Sequence, residues 1–99
     1  MTFTLNDLER IIRERATAPV DESYTAKLLS RGTPKVAQKV GEEAVEVVIE
    51  ALLRDKERLI YETADLLYHL GVLLHDQGVS LQEIYDELEK RWKEKGGAV

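Results

Sequence analysis

Apolar residues recur at spacings of three and four positions along almost the whole chain, the pattern of amphipathic helices. No segment alternates between apolar and polar residues as a half-buried strand does. Start and stop signals divide the pattern into five segments. We predict helices at about residues 5–16, 23–30, 34–54, 56–77 and 81–94. The predicted fold class is therefore all-α.

The predicted helix ends carry residues that satisfy free backbone groups. Thr4 and Ser80 can cap the first and fifth helices, each with an acidic residue three positions later. Gly32 can adopt the left-handed conformation that closes the second helix. The hydroxyl of Thr33, followed by a proline, is expected to cap the third helix, and Asp55 the fourth. Because almost nothing separates the third and fourth helices, we expect them to form a long antiparallel hairpin within a small bundle.

Each of these two long helices carries one narrow polar stripe. On the third helix the stripe spans about 60° and consists of Lys39, Glu43, Glu46 and Glu50, with Glu42 beside it. On the fourth it consists of Arg58, Glu62, Asp65, His69 and Asp76. The remaining surface of both helices is apolar over roughly 240°, whereas a surface helix has an apolar face of about 100° or somewhat more. We therefore expect a homodimer or higher homo-oligomer to complete the bundle, with the two stripes lining an internal cleft.

The hairpin would bring the stripes to the same level. Counting from the turn at Asp55, the positions of Glu46, Glu62 and Asp65 agree to within about one helical turn. Carboxylates crowded in this way repel by several kcal/mol unless a cation lies among them. Oxygen ligands select a hard divalent ion, and Mg²⁺ is the expected cofactor. The alternative is that the stripe is a solvated face, on which Lys39 and Glu43 form an ordinary ion pair.

Four basic residues lie around the predicted start of the third helix, where backbone N–H groups favour anions. They are Lys27, Arg31, Lys35 and Lys39. Carboxylates suited to a metal ion, next to basic side chains, would suit a polyphosphate. The alternative is that these are ordinary solvated surface residues.

Other polar and aromatic residues receive simpler interpretations. We expect His69 to form hydrogen bonds within the bundle rather than to bind a metal or donate a proton. We expect the four tyrosines to be core or interface residues rather than groups that stack on a base. They are Tyr24, Tyr61, Tyr68 and Tyr85.

Length and composition restrict the remaining possibilities. A chain of 99 residues corresponds to a single domain, residues 1–99. Its 19 acidic and 14 basic residues give a net charge of −5, so we expect no nucleic-acid partner. Without cysteine there is no thiolate site. No apolar run has the length of a membrane span, and the N-terminus lacks the layout of a secretory signal, so we expect no membrane partner and a cytoplasmic location.

The carboxylates also match a known pattern. E-E-x-x-E followed by E-x-x-D resembles the signature of the all-α nucleoside triphosphate pyrophosphohydrolase superfamily. Three longer segments, SYTAKLL, GTPKVAQKVGEEAVE and ETADLLYHLGVLL, are similar to the phosphoribosyl-ATP pyrophosphohydrolase family, and the resemblance covers about residues 3–92. It implies hydrolysis of phosphoribosyl-ATP between its α and β phosphates, giving phosphoribosyl-AMP and pyrophosphate, the second step of histidine biosynthesis.

The resemblance also implies roles for individual residues. The implied Mg²⁺ ligands are Glu43, Glu46, Glu62 and Asp65. Glu42 would make a further metal contact or orient the attacking water, so Glu42, Glu43 and Glu46 are the catalytic candidates. Lys39 would neutralise phosphate charge, and the weaker candidates for substrate binding are Lys27, Arg31 and Lys35.

Two other functions remain open at this point. One is a house-cleaning pyrophosphohydrolase that acts on non-standard nucleoside triphosphates, and the other is a non-catalytic helical dimerisation module. In many bacteria the family's domain is fused to the cyclohydrolase of the next step, and we expect the stand-alone form here.

Overall fold

A computed structural model describes residues 2–97, and this part of the chain contains five α-helices and no strand. The helices are α1 (Leu5–Ala16), α2 (Tyr24–Ser30), α3 (Thr33–Leu52), α4 (Lys56–Asp76) and α5 (Leu81–Glu94). The predicted all-α fold is confirmed. No helix in residues 2–97 is both long enough and apolar enough to cross a membrane.

Most of the predicted helix caps are confirmed. Thr4 and Ser80 each take part in a capping box. The capping side chain accepts a hydrogen bond from the backbone N–H of the residue three positions later, Asp7 or Glu83. The carboxylate of that residue accepts one from the backbone N–H of the capping residue. The Asp55 carboxylate accepts from the backbone N–H of Arg58 at 3.1 Å and so caps α4. Gly32 has the expected positive φ, 89°, but its ψ of 166° lies outside the left-handed helical region that was predicted to close α2.

The predicted cap at Thr33 is wrong. Thr33 is itself the first residue of α3, the preceding Gly32 occupies the cap position, and no side chain accepts a hydrogen bond there. The Thr33 hydroxyl instead donates to Asp76 Oδ2 at 2.6 Å, which joins the start of α3 to the end of α4. A long-range partner has therefore displaced the local capping bond.

Helices α3 and α4 form the predicted antiparallel hairpin. Glu50 contacts Arg58 near the turn, and Thr33 contacts Asp76 at the far end, so rising numbers on α3 pair with falling numbers on α4. The turn is short because Arg54 adopts a positive φ of 56°, which ends α3 at Leu52, two residues earlier than predicted.

A small core lies where α1 and α2 pack against the hairpin. Its buried members are Ile12, Leu28, Val36 and Val72. Gly71 lets α1 approach α4 closely, because a Cβ atom at this position would lie 2.6 Å from Cδ1 of Ile12. This packing fixes α2 against the hairpin and so positions the basic residues that α2 carries.

The outward faces of α3 and α4 remain apolar and exposed. The exposed side chains near the turn are Val45, Val48, Ile49, Leu52, Leu53, Ile60 and Tyr61. Three carboxylates of the polar stripes are buried instead, namely Glu43, Glu50 and Glu62. The stripes therefore face each other inside the hairpin, as the sequence predicted.

Candidate functional site

An acidic cluster lies between α3 and α4. Ligand-type atoms of Glu43, Asp65 and His69 lie within 4.8 Å of one another, so these three residues form a group that could hold a cation. Glu43 and His69 are buried and Asp65 is half-buried. The structure thus brings together two of the four predicted metal ligands, Glu43 and Asp65.

The Asp65 carboxyl group is destabilised in its charged form. Burial, followed by the hydrogen bond with Glu43 and by the negative charge of that residue, raises the pKa of Asp65, although His69 and Lys39 act in the opposite direction. Two carboxyl groups this close repel each other when both are ionised, unless a cation lies between them. The repulsion expected from the sequence is therefore present at this pair.

His69 is fully engaged within the bundle. Its Nδ1 lies 2.8 Å from the backbone carbonyl oxygen of Asp65 and 3.3 Å from Asp65 Oδ1, and its Nε2 lies 3.1 Å from the Tyr24 hydroxyl. Both ring nitrogens therefore have protein partners, which confirms the expectation that His69 forms hydrogen bonds within the bundle.

Glu62, the third predicted ligand, lies in a second group nearer the turn. Arg58 Nη2 is 3.3 Å from Glu62 Oε1, and Arg58 Nε is 3.1 Å from Glu50 Oε2. The two glutamates are almost buried, whereas more than half of the arginine side chain is exposed. One guanidinium thus pairs with two carboxylates, and interaction with Glu50 and then Glu62 raises the pKa of Arg58.

Glu46 and Glu42 differ in their surroundings. Glu46 follows Glu43 by one turn of α3 and is half-buried, and within residues 2–97 it forms no hydrogen bond or ion pair. Glu42 is exposed on the side of α3, where it accepts a hydrogen bond from Gln38 Nε2 at 2.7 Å. That bond lowers the pKa of Glu42, burial opposes it, and the charge of Lys39 adds to the lowering.

A basic pocket of about 230 Å³ adjoins the acidic cluster. It is lined by all four predicted substrate-binding residues, together with an aromatic and an apolar side chain: Lys27, Arg31, Lys35, Lys39, Tyr24 and Leu28. Lys39 connects the two regions, since its Nζ lies 3.5 Å from Glu43 Oε1 and 3.6 Å from Glu42 Oε2. Positive charge is thus concentrated beside carboxylates suited to a cation.

A larger pocket of about 500 Å³ lies between α1, α4 and α5 and is mainly apolar. None of the residues predicted for the site lines it. The chemistry of the chain is therefore concentrated at the smaller pocket.

The tyrosines differ in their surroundings. Tyr68 packs against the core, and its hydroxyl forms a hydrogen bond with Thr25. Tyr24 and Tyr61 are 53% and 66% exposed and so lie outside the core of the chain, and an interface position for them stays a prediction. Tyr24 instead lines the basic pocket, because Ser23 caps α2 and directs the following residue toward α4.

Sequence reasoning missed the roles of Tyr24 and Arg58. A signal for Arg58 was present, since it precedes Glu62 by four positions on the same stripe, the spacing of a helical ion pair. No comparable signal existed for Tyr24, whose contact with His69 spans 45 positions of sequence.

Comparison with known proteins gives a consistent result. The protein-family model described as "Phosphoribosyl-ATP pyrophosphohydrolase" matches residues 5–92. A protein from Rhizobium rhizogenes named phosphoribosyl-ATP pyrophosphatase is 54% identical over 94 residues, covering 95% of this chain and 90% of the relative. A protein of the same name from Methylobacterium nodulans is 53% identical over 95 residues, covering 96% of this chain and 89% of the relative.

Proposed function

We propose that this chain, which belongs to the phosphoribosyl-ATP pyrophosphohydrolase family, hydrolyses phosphoribosyl-ATP to phosphoribosyl-AMP and pyrophosphate in histidine biosynthesis. Water would attack the anhydride between the α and β phosphates. The cytoplasmic location expected from the sequence stays a prediction.

One observation carries this proposal: Lys39 lines the basic pocket and is also paired with Glu43 of the acidic cluster. A polyphosphate needs positive groups along its length and a cation at the reacting phosphate. The pocket supplies the first through four basic side chains, and the cluster supplies ligands for the second. A non-catalytic module would need neither.

The donor set of the cluster fits a hard divalent ion, and we propose Mg²⁺. Glu43 and Asp65 offer carboxylate oxygens within 4.8 Å of each other, and Glu46 has no protein partner within residues 2–97 that would compete for its oxygens. Glu62 would join them on releasing Arg58. When bound, Mg²⁺ would polarise the phosphoryl group, activate water and neutralise the leaving pyrophosphate.

The protein residues would have distinct tasks. Lys39 would neutralise the phosphate nearest the cluster, and the other cations of the pocket would hold the rest of the chain of phosphates. They are Lys27, Arg31 and Lys35. Glu42, exposed beside Lys39, would orient the attacking water or contribute a further metal contact.

We also propose that the chain forms a homodimer or higher homo-oligomer. Its accessible surface is 7133 Å², compared with about 5,700 Å² for a monomeric protein of this mass. The excess, about 1,400 Å², is larger than the roughly 800 Å² that each partner contributes to a standard interface. The exposed apolar side chains on the outward faces of α3 and α4 account for part of this surface, and we place the interface there.

The substrate assignment is tested by incubating the protein and Mg²⁺ with phosphoribosyl-ATP and, separately, with a panel of standard and non-standard nucleoside triphosphates. We expect pyrophosphate release with phosphoribosyl-ATP at a kcat/KM far above that for any triphosphate. A preference for the panel would favour the house-cleaning function, and no hydrolysis of any compound would favour the dimerisation module.

A further inference from the structure

We propose that Tyr24 is a positioning residue that couples the basic pocket to the carboxylate cluster through His69. The inference rests on the proposed function, since it assigns a task to a residue of the same site. It concerns a side chain for which sequence reasoning expected only a packing role.

The carbonyl partner of His69 fixes the direction of the bond at Nδ1, and in a neutral ring it also determines the bond at Nε2. The carbonyl oxygen of Asp65 can only accept, so the His69 Nδ1 that lies 2.8 Å away must carry the proton. In a neutral ring Nε2 then has a free lone pair, and the Tyr24 hydroxyl at 3.1 Å donates to it. The chain of hydrogen bonds thus runs from Tyr24 through the imidazole to the backbone of Asp65.

This chain joins the two parts of the site. Tyr24 belongs to α2 and lines the pocket together with Lys27 and Arg31, whereas Asp65 belongs to α4 and lies in the acidic cluster. Movement of the Tyr24 ring would therefore shift both a wall of the pocket and the histidine that holds Asp65. Contacts of the ring with His69 and Tyr68, with centroids 5.8 and 6.2 Å apart, restrict such movement.

A neighbouring bond explains why Tyr24 can act in this way. The hydroxyl groups of Thr25 and Tyr68 are hydrogen-bonded, so consecutive residues of α2 bind consecutive residues of α4. Thr25 is buried and ties the two helices together at the core side, whereas Tyr24 is 53% exposed at the pocket side. The bond between Thr25 and Tyr68 holds α2 against α4. The Tyr24 hydroxyl is therefore not needed to hold α2 in place, and its bond to His69 determines the geometry of the site.

The kinetic test is the Tyr24→Phe substitution, which removes the hydroxyl and keeps the ring. Tyr85→Phe is the matched control, because the Tyr85 hydroxyl also makes one bond between helices, to Asn6 Oδ1 at 3.0 Å, away from the site. We expect Tyr24→Phe to raise KM for phosphoribosyl-ATP and the Mg²⁺ concentration for half-maximal rate by about tenfold, at the upper end of the effect of one typical hydrogen bond. Tyr85→Phe should change neither. Unchanged values in Tyr24→Phe, or equal changes in both variants, would overturn the proposal.

A second measurement does not depend on turnover. Long-range ¹H–¹⁵N NMR spectra of the wild-type protein should show a proton on Nδ1 of His69, and the Nε2 resonance should shift in Tyr24→Phe but not in Tyr85→Phe. A His69 ring protonated on Nε2, or an Nε2 resonance that does not shift in Tyr24→Phe, would refute the coupling. Failure of the wild type to hydrolyse phosphoribosyl-ATP would instead count against the proposed function alone.

Discussion

Lys39 Nζ lies 3.5 Å from Glu43 Oε1, so one ammonium group borders both the acidic cluster and the basic pocket. The lysine side chain is only 24% exposed. Burial opposes its charge, but Tyr24, Glu42 and Glu43 outweigh that effect and raise the pKa of Lys39. The lysine therefore remains charged at neutral pH, where a substrate phosphate would meet it.

The substitution Lys39→Met tests this role. Removing the ammonium group should raise KM for phosphoribosyl-ATP by about tenfold or more, because a charge-assisted contact is worth roughly 1.5–3 kcal/mol. Lys90→Met is the control, since Lys90 also pairs with a glutamate four positions later, at 3.9 Å, on the exposed surface of α5. Equal KM values for the two variants would show that Lys39 does not contact the substrate.

The raised pKa of Asp65 predicts how stability depends on pH when metal is removed with EDTA. Because the folded pKa lies above the ordinary value of 3.8, the contribution of this group to stability is present at low pH and lost as the pH rises through the folded pKa. Asp65→Asn should therefore melt at a higher temperature than the wild type at pH 7, and the difference should shrink toward pH 4. Thermal melts between pH 4 and pH 7 check this, and a constant or reversed difference would contradict it.

Arg58 should stabilise the folded chain through its ion pairs with two carboxylates. Arg58→Met would leave the almost buried Glu50 and Glu62 without a counter-ion, so we expect a lower melting temperature. Arg91→Met, which breaks an exposed pair with Glu87, should have little effect.

A second substitution separates charge from packing at Arg58. Adding Glu50→Gln to Arg58→Met should restore part of the lost melting temperature, because one uncompensated buried charge is removed. A double variant no more stable than Arg58→Met would show that the arginine acts through packing alone.

The proposed interface predicts a change in assembly. Leu52 is 78% exposed near the turn between α3 and α4, and Leu52→Lys should shift the protein toward the 11.3 kDa monomer in size-exclusion chromatography with light scattering. Gln82→Lys adds the same charge on α5 and should leave the assembly unchanged. A wild-type protein that is already monomeric at high concentration would contradict the proposed oligomer.

Local features of the sequence predicted most of the fold. Apolar spacing located all five helices, and residues such as Thr4, Ser80 and Asp55 marked starts because their capping bonds lie within three positions of sequence. The prediction for Thr33 failed because the partner of its hydroxyl, Asp76, is 43 positions away. A local sequence pattern cannot show that a distant residue will bind the hydroxyl of a predicted cap.

For the site as well, local periodicity was informative and long-range contacts were not predictable. Helical projection placed the two polar stripes face to face, but counting from Asp55 put Glu46 level with Asp65, whereas the structure brings Glu43 to Asp65. The projection could not show that Arg58 pairs with Glu50 and Glu62. Whether an arginine or a bound metal ion balances such carboxylates depends on side-chain conformation. The contact between Tyr24 and His69 depends on how α2 docks, which periodicity does not determine.

The proposal that the carboxylates bind a catalytic Mg²⁺ is tested most directly at Glu46, because no hydrogen bond or ion pair within residues 2–97 would be lost on substitution. The measurement is pyrophosphate release from phosphoribosyl-ATP, by the wild type and by Glu46→Gln, as Mg²⁺ is raised from zero in metal-free buffer. We predict no release without a divalent ion, saturation with Mg²⁺ in the wild type, and a loss of at least about a hundredfold in a folded Glu46→Gln variant, a factor that corresponds to about 2.7 kcal/mol. Turnover by the wild type without divalent ions, or wild-type rates in Glu46→Gln, would contradict the proposal.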